Sequence, residues 1–141
     1  MTINQLSIFL ENKSGRLTEV LETLGNEKIN ITALTIADTS EYGILRLIVS
    51  NPEKAHLLLK EKGFSANLTE VLSIYTPIEA GSFARALRIF SDENISIEYM
   101  YAFSLENKAM IVLRAENTEK ALAAIQKHKM ELVKGSDLYE F

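Results

Sequence analysis

Glu11-Asn12-Lys13-Ser14-Gly15-Arg16-Leu17 joins two different hydrophobic rhythms. Before it, Ile3, Leu6, Ile8 and Leu10 recur with the partial alternation of a strand. After it, Leu17, Val20, Leu21 and Leu24 recur at helical spacing and make one apolar stripe. The stretch reads as a tight turn from a first strand into a first helix, with Ser14 or a near neighbour capping the helix. The same transition recurs later as Thr76-Pro77-Ile78-Glu79-Ala80-Gly81-Ser82-Phe83.

The recurrence extends well beyond the turn. A shift of 66 positions, the distance from Gly15 to Gly81, also superposes Leu21 on Leu87, Glu27 on Glu93 and Leu47 on Leu113. Ile29 and Ile31 meet Ile95 and Ile97, and Asn51, Glu53, Lys54 and Ala55 meet Asn117, Glu119, Lys120 and Ala121. No gap is needed, which marks an internal repeat whose unit is a whole small fold.

Within the first copy, Ile31 to Ala37 is rich in the β-branched residues of strands. A polar turn and Gly43 lead to a third strand over Ile44 to Val49. Asn51 and Pro52 start a second helix, since proline suits a first-turn position whose amide has no intrahelical partner. That helix ends at Gly63, and Phe64 to Leu68 is a short fourth strand. The order strand, helix, strand, strand, helix, strand is the ferredoxin-like arrangement, with both helices on one face of the sheet. The fold class is therefore α+β, with domains at 1–68 and 69–141.

In the second copy, Thr69 to Tyr75 follows almost without linker. The copies either stand rigidly joined or share one long bent strand. Pro77 ends it, because proline cannot donate to a central ladder. Phe83, Leu87 and Phe90 face the core from the next helix. Ile95 to Phe103 and Met110 to Leu113 form a hairpin about Glu106 and Asn107. A last helix follows Asn117, and Met130 to Val133 is the closing strand. The tail ending in Leu138, Tyr139 and Phe141 either packs on a domain or partner, or frays.

Composition narrows the function. The chain has 141 residues, 47% of them hydrophobic and 24% charged, which fits a folded protein. Its formal net charge of -4 disfavours a general nucleic-acid binder. It has no cysteine, which excludes disulfides and thiolate metal sites. No apolar run approaches a membrane span, and the N-terminus lacks the pattern of a signal peptide. A cytoplasmic protein is the expectation. No phosphate loop or nucleophile elbow is present. His56, His128, Glu93 and Glu98 read as structural or solvated groups, so no catalytic residue, metal or cofactor is assigned.

The turns offer better chemistry. A helix start presents unpaired amides that suit a carboxylate. Gly15 and Gly81 either admit a ligand to the backbone or simply make the turn. Asn12 can donate and accept, and Asn30, at the start of the second strand, can reach the same region from a facing copy or subunit. Amides and asparagine carbonyls together match the carboxylate and ammonium of an amino acid. Arg16 either attracts that carboxylate or is an ordinary surface arginine.

These residues carry a resemblance. Asn12 to Leu17 followed by Ile29-Asn30-Ile31, and Gly81-Ser82-Phe83 followed by Asn94 to Tyr101, resemble the ACT domain, an amino-acid-binding regulatory module. The chain looks like a stand-alone tandem ACT protein over roughly residues 3 to 133. The resemblance implies that the copies pair side by side into an eight-stranded antiparallel sheet with four helices on one face. It also implies amino-acid binding near the first turns, without catalysis. In the serine-binding regulatory domain of phosphoglycerate dehydrogenase, two asparagines contact the effector, and they correspond to Asn12 and Asn30. The second copy departs from this pattern, with Ile78 and Ser96 there, and Ser14 and Ala80 replace the family's usual proline. One competent half-site follows, completed by the second copy or a second chain. The candidate ligand-binding set is Asn12, Lys13, Ser14, Gly15, Arg16, Leu17 and Asn30, with Ala80, Gly81, Ser82 and Phe83 lining a related pocket. The expected partners are a small amino acid, a second copy in a homodimer and a regulated enzyme. The alternative is a ligand-free docking module, or a regulatory subunit resembling the small subunit of acetolactate synthase.

Overall fold

The structure, a computed structural model, describes residues 2–11, 13–38 and 41–139, with Asp38 and Tyr139 described by their backbone alone. In chain order the elements are β1 (Ile3–Glu11), α1 (Arg16–Asn26), β2 (Ile31–Asp38), β3 (Tyr42–Val49), α2 (Pro52–Glu61) and β4 (Ser65–Pro77). There follow α3 (Ser82–Asp92), β5 (Ile97–Leu105), β6 (Lys108–Ala115), α4 (Thr118–Lys127) and α5 (Gly135–Tyr139). The chain divides into two compact units. One is Asn4–Thr69 with Ser136–Phe141, and the other is Glu70–Gly135 with Met1–Ile3.

Each unit builds its core from the strand residues that alternate inward and the stripes of two helices. In the first, Leu6 opposes Leu47 and Ile8 opposes Leu45 across an antiparallel ladder, so all four lie on one face. Val20 and Leu24 of α1 and Ala55 and Leu59 of α2 cover them. In the second, Leu72 opposes Leu113 and Ile74 opposes Ile111, under Ala86 and Phe90 of α3 and Ala121, Ala124 and Ile125 of α4.

The described strands number six, in the order β2-β3-β1-β4-β6-β5, where eight are expected from the repeat. Two causes account for the difference. No turn residue separates Leu68 from Thr69, so the fourth strand of one copy and the first of the next form the 13-residue β4. Near Met130 to Val133 the pairing with β4 shrinks to a single bridge, Ile74 to Leu132. It is flanked by bonds from the Tyr75 N–H to the Glu131 carbonyl (2.9 Å) and from the Val133 N–H to the Ser73 carbonyl (2.8 Å).

The repeat survives in the helix ends. Asn51 Oδ1 accepts the Lys54 amide at 3.2 Å, and Asn117 Oδ1, 66 positions on, accepts that of Lys120 at 3.0 Å. After α1 to α4 the chain enters the left-handed region at Lys28, Gly63, Asn94 and Lys129. The next residue is in each case large and apolar, and its amide returns to the last turn. Ile29 bonds Leu24, Phe64 bonds Leu59, Ile95 bonds Phe90 and Met130 bonds Ile125. All four ends thus close the same way, satisfying helix-terminal carbonyls and folding an apolar side chain over the helix end.

The tail packs. α5 belongs to the Asn4–Thr69 unit, Leu138 is fully buried, and its carbonyl accepts the Thr32 hydroxyl at 3.2 Å. Phe141 lies outside the described residues. No described helix is long and apolar enough to cross a membrane.

Candidate functional site

Both strand-to-helix turns end on a glycine in the left-handed region. Gly15 (φ 87°) and Gly81 (φ 86°) are the N-caps of α1 and α3, and neither helix has a side-chain cap. This corrects the expectation that Ser14 or a neighbour caps α1. The helix is entered instead through a backbone conformation that residues with a Cβ adopt at a cost. A Cβ at Gly15 would meet no atom within 4 Å, so the turn, rather than close approach within the protein, calls for glycine there. The carbonyls of Gly15 and Gly81 accept the amides of Glu19 and Arg85, both at 2.9 Å.

At the first turn the charged side chains are engaged locally. Lys13 pairs with Glu11 at 2.9 Å, and its hydrogen bond holds the Glu11 carboxyl below the usual carboxylate range. The Arg16 guanidinium lies 4.5 Å over the Phe64 ring and bonds Glu19 at 3.0 Å. Arg16 is therefore part of its own unit's packing. Leu17 packs against the core. Ser14 and Gly15 are exposed. The Asn30 amide donates to the Ser50 hydroxyl at 3.0 Å, and its carbonyl accepts the Ser50 amide at 2.9 Å, which holds the start of β2 to the end of β3. Asn12 lies outside the described residues.

At the second turn the structure gathers Ala80, Gly81 and Phe83 around one cleft of about 530 Å³, with Ile78, Glu79, Ala84, Ser104 and Ala109. Phe83 is 42% exposed and lines this cleft, where the helical pattern placed it in the core. The buried face of α3 runs through Ser82, Ala86 and Phe90, at every fourth position, which turns Phe83 about 100° away. Ser82 leaves the predicted group for the opposite reason. It is only 4% exposed and lines a separate, smaller cleft. The first amides of a helix have no intrahelical acceptor. That of Ser82 donates to the Glu79 carbonyl at 3.1 Å, and those of Phe83 and Ala84 remain for an acceptor outside the helix.

Sequence reasoning missed Ser104 and Ala109, brought in by the β5–β6 hairpin from more than 20 residues away. It also missed Arg85, which reaches Glu79 at 3.3 Å, Ser82 Oγ at 3.1 Å and the Ala80 carbonyl at 3.5 Å. An arginine three places after the turn serine was the available signal. The other polar groups belong to the framework. His56 Nε2 sits 3.0 Å from the Ala66 carbonyl, and Glu98 pairs with Arg114 at 3.4 Å. Glu93 takes Lys127 at 2.8 Å and His128 at 3.1 Å, and these bonds hold its carboxyl below the ordinary range. Among the described residues no cluster of His, Asp and Glu could hold a metal ion.

Comparison with known proteins identifies the family and the fold. The family model of the ACT domain pair matches residues 1–141. A crystal structure of a protein from Bacteroides thetaiotaomicron is similar at 48% identity, covering 100% of this chain and 98% of that one, with a TM-score of 0.95. The ligand-free regulatory subunit of aspartate kinase from Thermus thermophilus shares the fold at 16% identity, covering 88% of this chain and 90% of that one, with a TM-score of 0.62. The corresponding subunit from Thermus flavus does so at 18% identity, covering the same shares, with a TM-score of 0.59. No curated protein matches the chain.

Proposed function

The chain belongs to the ACT domain pair family, and from that membership we propose that it senses a small amino acid in the cytoplasm and passes the signal on without catalysis of its own. The observation that carries the reading is the cleft at the Gly81 turn. The Phe83 and Ala84 amides at the start of α3 suit the carboxylate of an amino acid. Glu79 and Ser104 supply acceptors for its ammonium group, and Ile78 and Phe83 supply an apolar rim for its side chain. The first turn, with Asn12 and Asn30, is proposed as a further amino-acid-binding turn in the other unit. The regulated partner is an enzyme of amino-acid biosynthesis. Binding alters that enzyme only through a difference in affinity between two states of the sensor.

Ala84→Glu is the discriminating variant for the cleft. A carboxylate in the first turn suits the helix but repels a bound carboxylate. Equilibrium dialysis should show amino-acid affinity reduced tenfold or more in this variant, with its circular dichroism unchanged. The Asn12→Ala, Asn30→Ala double variant should lose binding at the first turn. Undiminished binding in all of these folded variants would sink the assignment.

The alternative of a docking module has its own support. Among the described residues β2 pairs only with β3, and it exposes Leu34 (46%) and Ile36 (45%). An edge strand with exposed apolar residues is a natural place for a second copy to add. Sedimentation equilibrium should give a homodimer that Leu34→Lys shifts toward monomer. A wild type that stays at one chain mass at every concentration rejects that interface.

A further inference from the structure

The two units differ at one place in a way that opens a pocket. At the 66-residue spacing, Leu10, Arg16, Val20 and Phe64 correspond to Thr76, Ser82, Ala86 and Met130. In the first unit Leu10, Val20 and Phe64 are buried in the core and the Arg16 guanidinium lies over the Phe64 ring. In the second, smaller or more slender side chains stand at all four places. A cleft of about 190 Å³ lies among Thr76, Ser82, Arg85, Ala86, Ile89 and Met130.

Thr76 is the telling residue. It opposes Ala109 in phase with Leu72 and Ile74, which puts it on the helix-covered face near the first turn of α3. It is 5% exposed, and its hydroxyl oxygen is buried with no hydrogen-bond partner. A hydroxyl in that situation is unfavourable unless something satisfies it, and leucine occupies the matching position of the first unit. Ser82 is buried beside it, with its hydroxyl accepting from Arg85 Nη2 at 3.1 Å. The negative group facing the site is Glu79, which holds the same guanidinium nitrogen at 3.3 Å. Both members of that pair are largely exposed, so it yields readily to a competitor.

We propose that this cleft is a second ligand site, distinct from the amino-acid cleft at Ile78 to Ala84, and that it takes a short aliphatic monocarboxylate. The carboxylate displaces Glu79 from Arg85 and accepts from the Thr76 and Ser82 hydroxyls at the positive end of α3. A tail of a few carbons lies against Ala86, Ile89 and Met130. The volume excludes anything much larger.

The test is titration of the full chain with acetate, propionate, isobutyrate and isovalerate, followed by heteronuclear NMR, with isobutyramide as the neutral control. At least one acid should saturate, with the largest shifts at Thr76, Ser82 and Ala86, and isobutyramide should bind at least tenfold more weakly than isobutyrate. The near-isosteric Thr76→Val should weaken binding at least tenfold. The Thr76→Leu, Ala86→Val variant, which installs the first unit's residues, should fill the cleft and abolish binding while remaining folded. The Asn12→Ala, Asn30→Ala and Ser104→Ala variants should bind the acid as the wild type does, because Ser104 lines only the larger cleft, which separates this site from the amino-acid site. Absence of saturation with all four acids, or affinity unchanged in both Thr76 variants, overturns the proposal.

Discussion

Replacing Gly15 by alanine isolates one physical term. Gly15 has φ 87° and ψ -12° as the N-cap of α1. A Cβ there meets nothing within 4 Å, so no clash contributes. What remains is the cost of holding an L-residue in the left-handed region, about 1–2 kcal/mol. Gly81→Ala should cost the same or slightly more, because its Cβ comes within 3.1 Å of Arg85 Nη1, the end of a flexible side chain that can move aside. Gly25 is the control. It lies in the last turn of α1 without positive φ, and a Cβ there also meets nothing within 4 Å. Gly25→Ala should therefore gain about 0.5–1 kcal/mol from the lower chain entropy of the unfolded state and better helix propensity. With a urea slope of about 2 kcal/mol/M, the Gly15→Ala midpoint falls by about 0.5–1 M and the Gly25→Ala midpoint rises by about 0.25–0.5 M. Gly15→Asn should fall less than Gly15→Ala, since asparagine visits this region more readily. Urea unfolding followed by far-ultraviolet circular dichroism reads all four. A Gly15→Ala midpoint at or above that of the wild type, or a Gly25→Ala midpoint that falls alongside it, would rule out a left-handed penalty at Gly15.

Three further outcomes follow from the same structure. Lys129→Gly should raise stability by about 0.5–1 kcal/mol, the left-handed cost at φ 54° less glycine's backbone entropy, at the position where Gly63 stands after α2; a lower denaturation midpoint would contradict this. Phe90→Ala should cost about 3–5 kcal/mol, since the ring is fully buried between α3 and its sheet; a loss under 1 kcal/mol would show that the ring is not packed there. Glu93 has a lowered carboxyl pKa in the fold, from its bonds to Lys127 and His128. Its contribution to stability is therefore present above the ordinary carboxylate pKa and lost as pH falls through the folded value. Glu93→Gln should flatten the acid limb of the urea midpoint measured against pH, and an unchanged limb would reject the linkage.

The repeat and element order were legible because they rest on apolar periodicity and on turn residues with strong local preferences. Asn51, Asn117, Gly15 and Gly81 each do in the fold what their chemistry favours locally. Features set by tertiary pairing were not. Phe83 counts as apolar in any helical pattern, and only the burial of Ser82, Ala86 and Phe90 shows that the core lies on another side. The absence of a linker at Leu68 and Thr69 left two readings open, a rigid joint or one long strand, and β4 takes the second. The left-handed residues Lys28 and Lys129 carry no turn signature, so that helix-end geometry had a local signal only at Gly63 and Asn94. The small cleft at Thr76 was present in the alignment of the two copies as Leu10 against Thr76 and Val20 against Ala86. A difference between copies is as informative as an identity once the positions are known to share a core.

Calorimetric titration of the purified chain against the twenty amino acids reads binding at the strand-to-helix turns. Saturable heat is expected with at least one amino acid, lost when the same ligand lacks its carboxylate and diminished in Ala84→Glu. Flat titrations across the whole set with folded protein would contradict it.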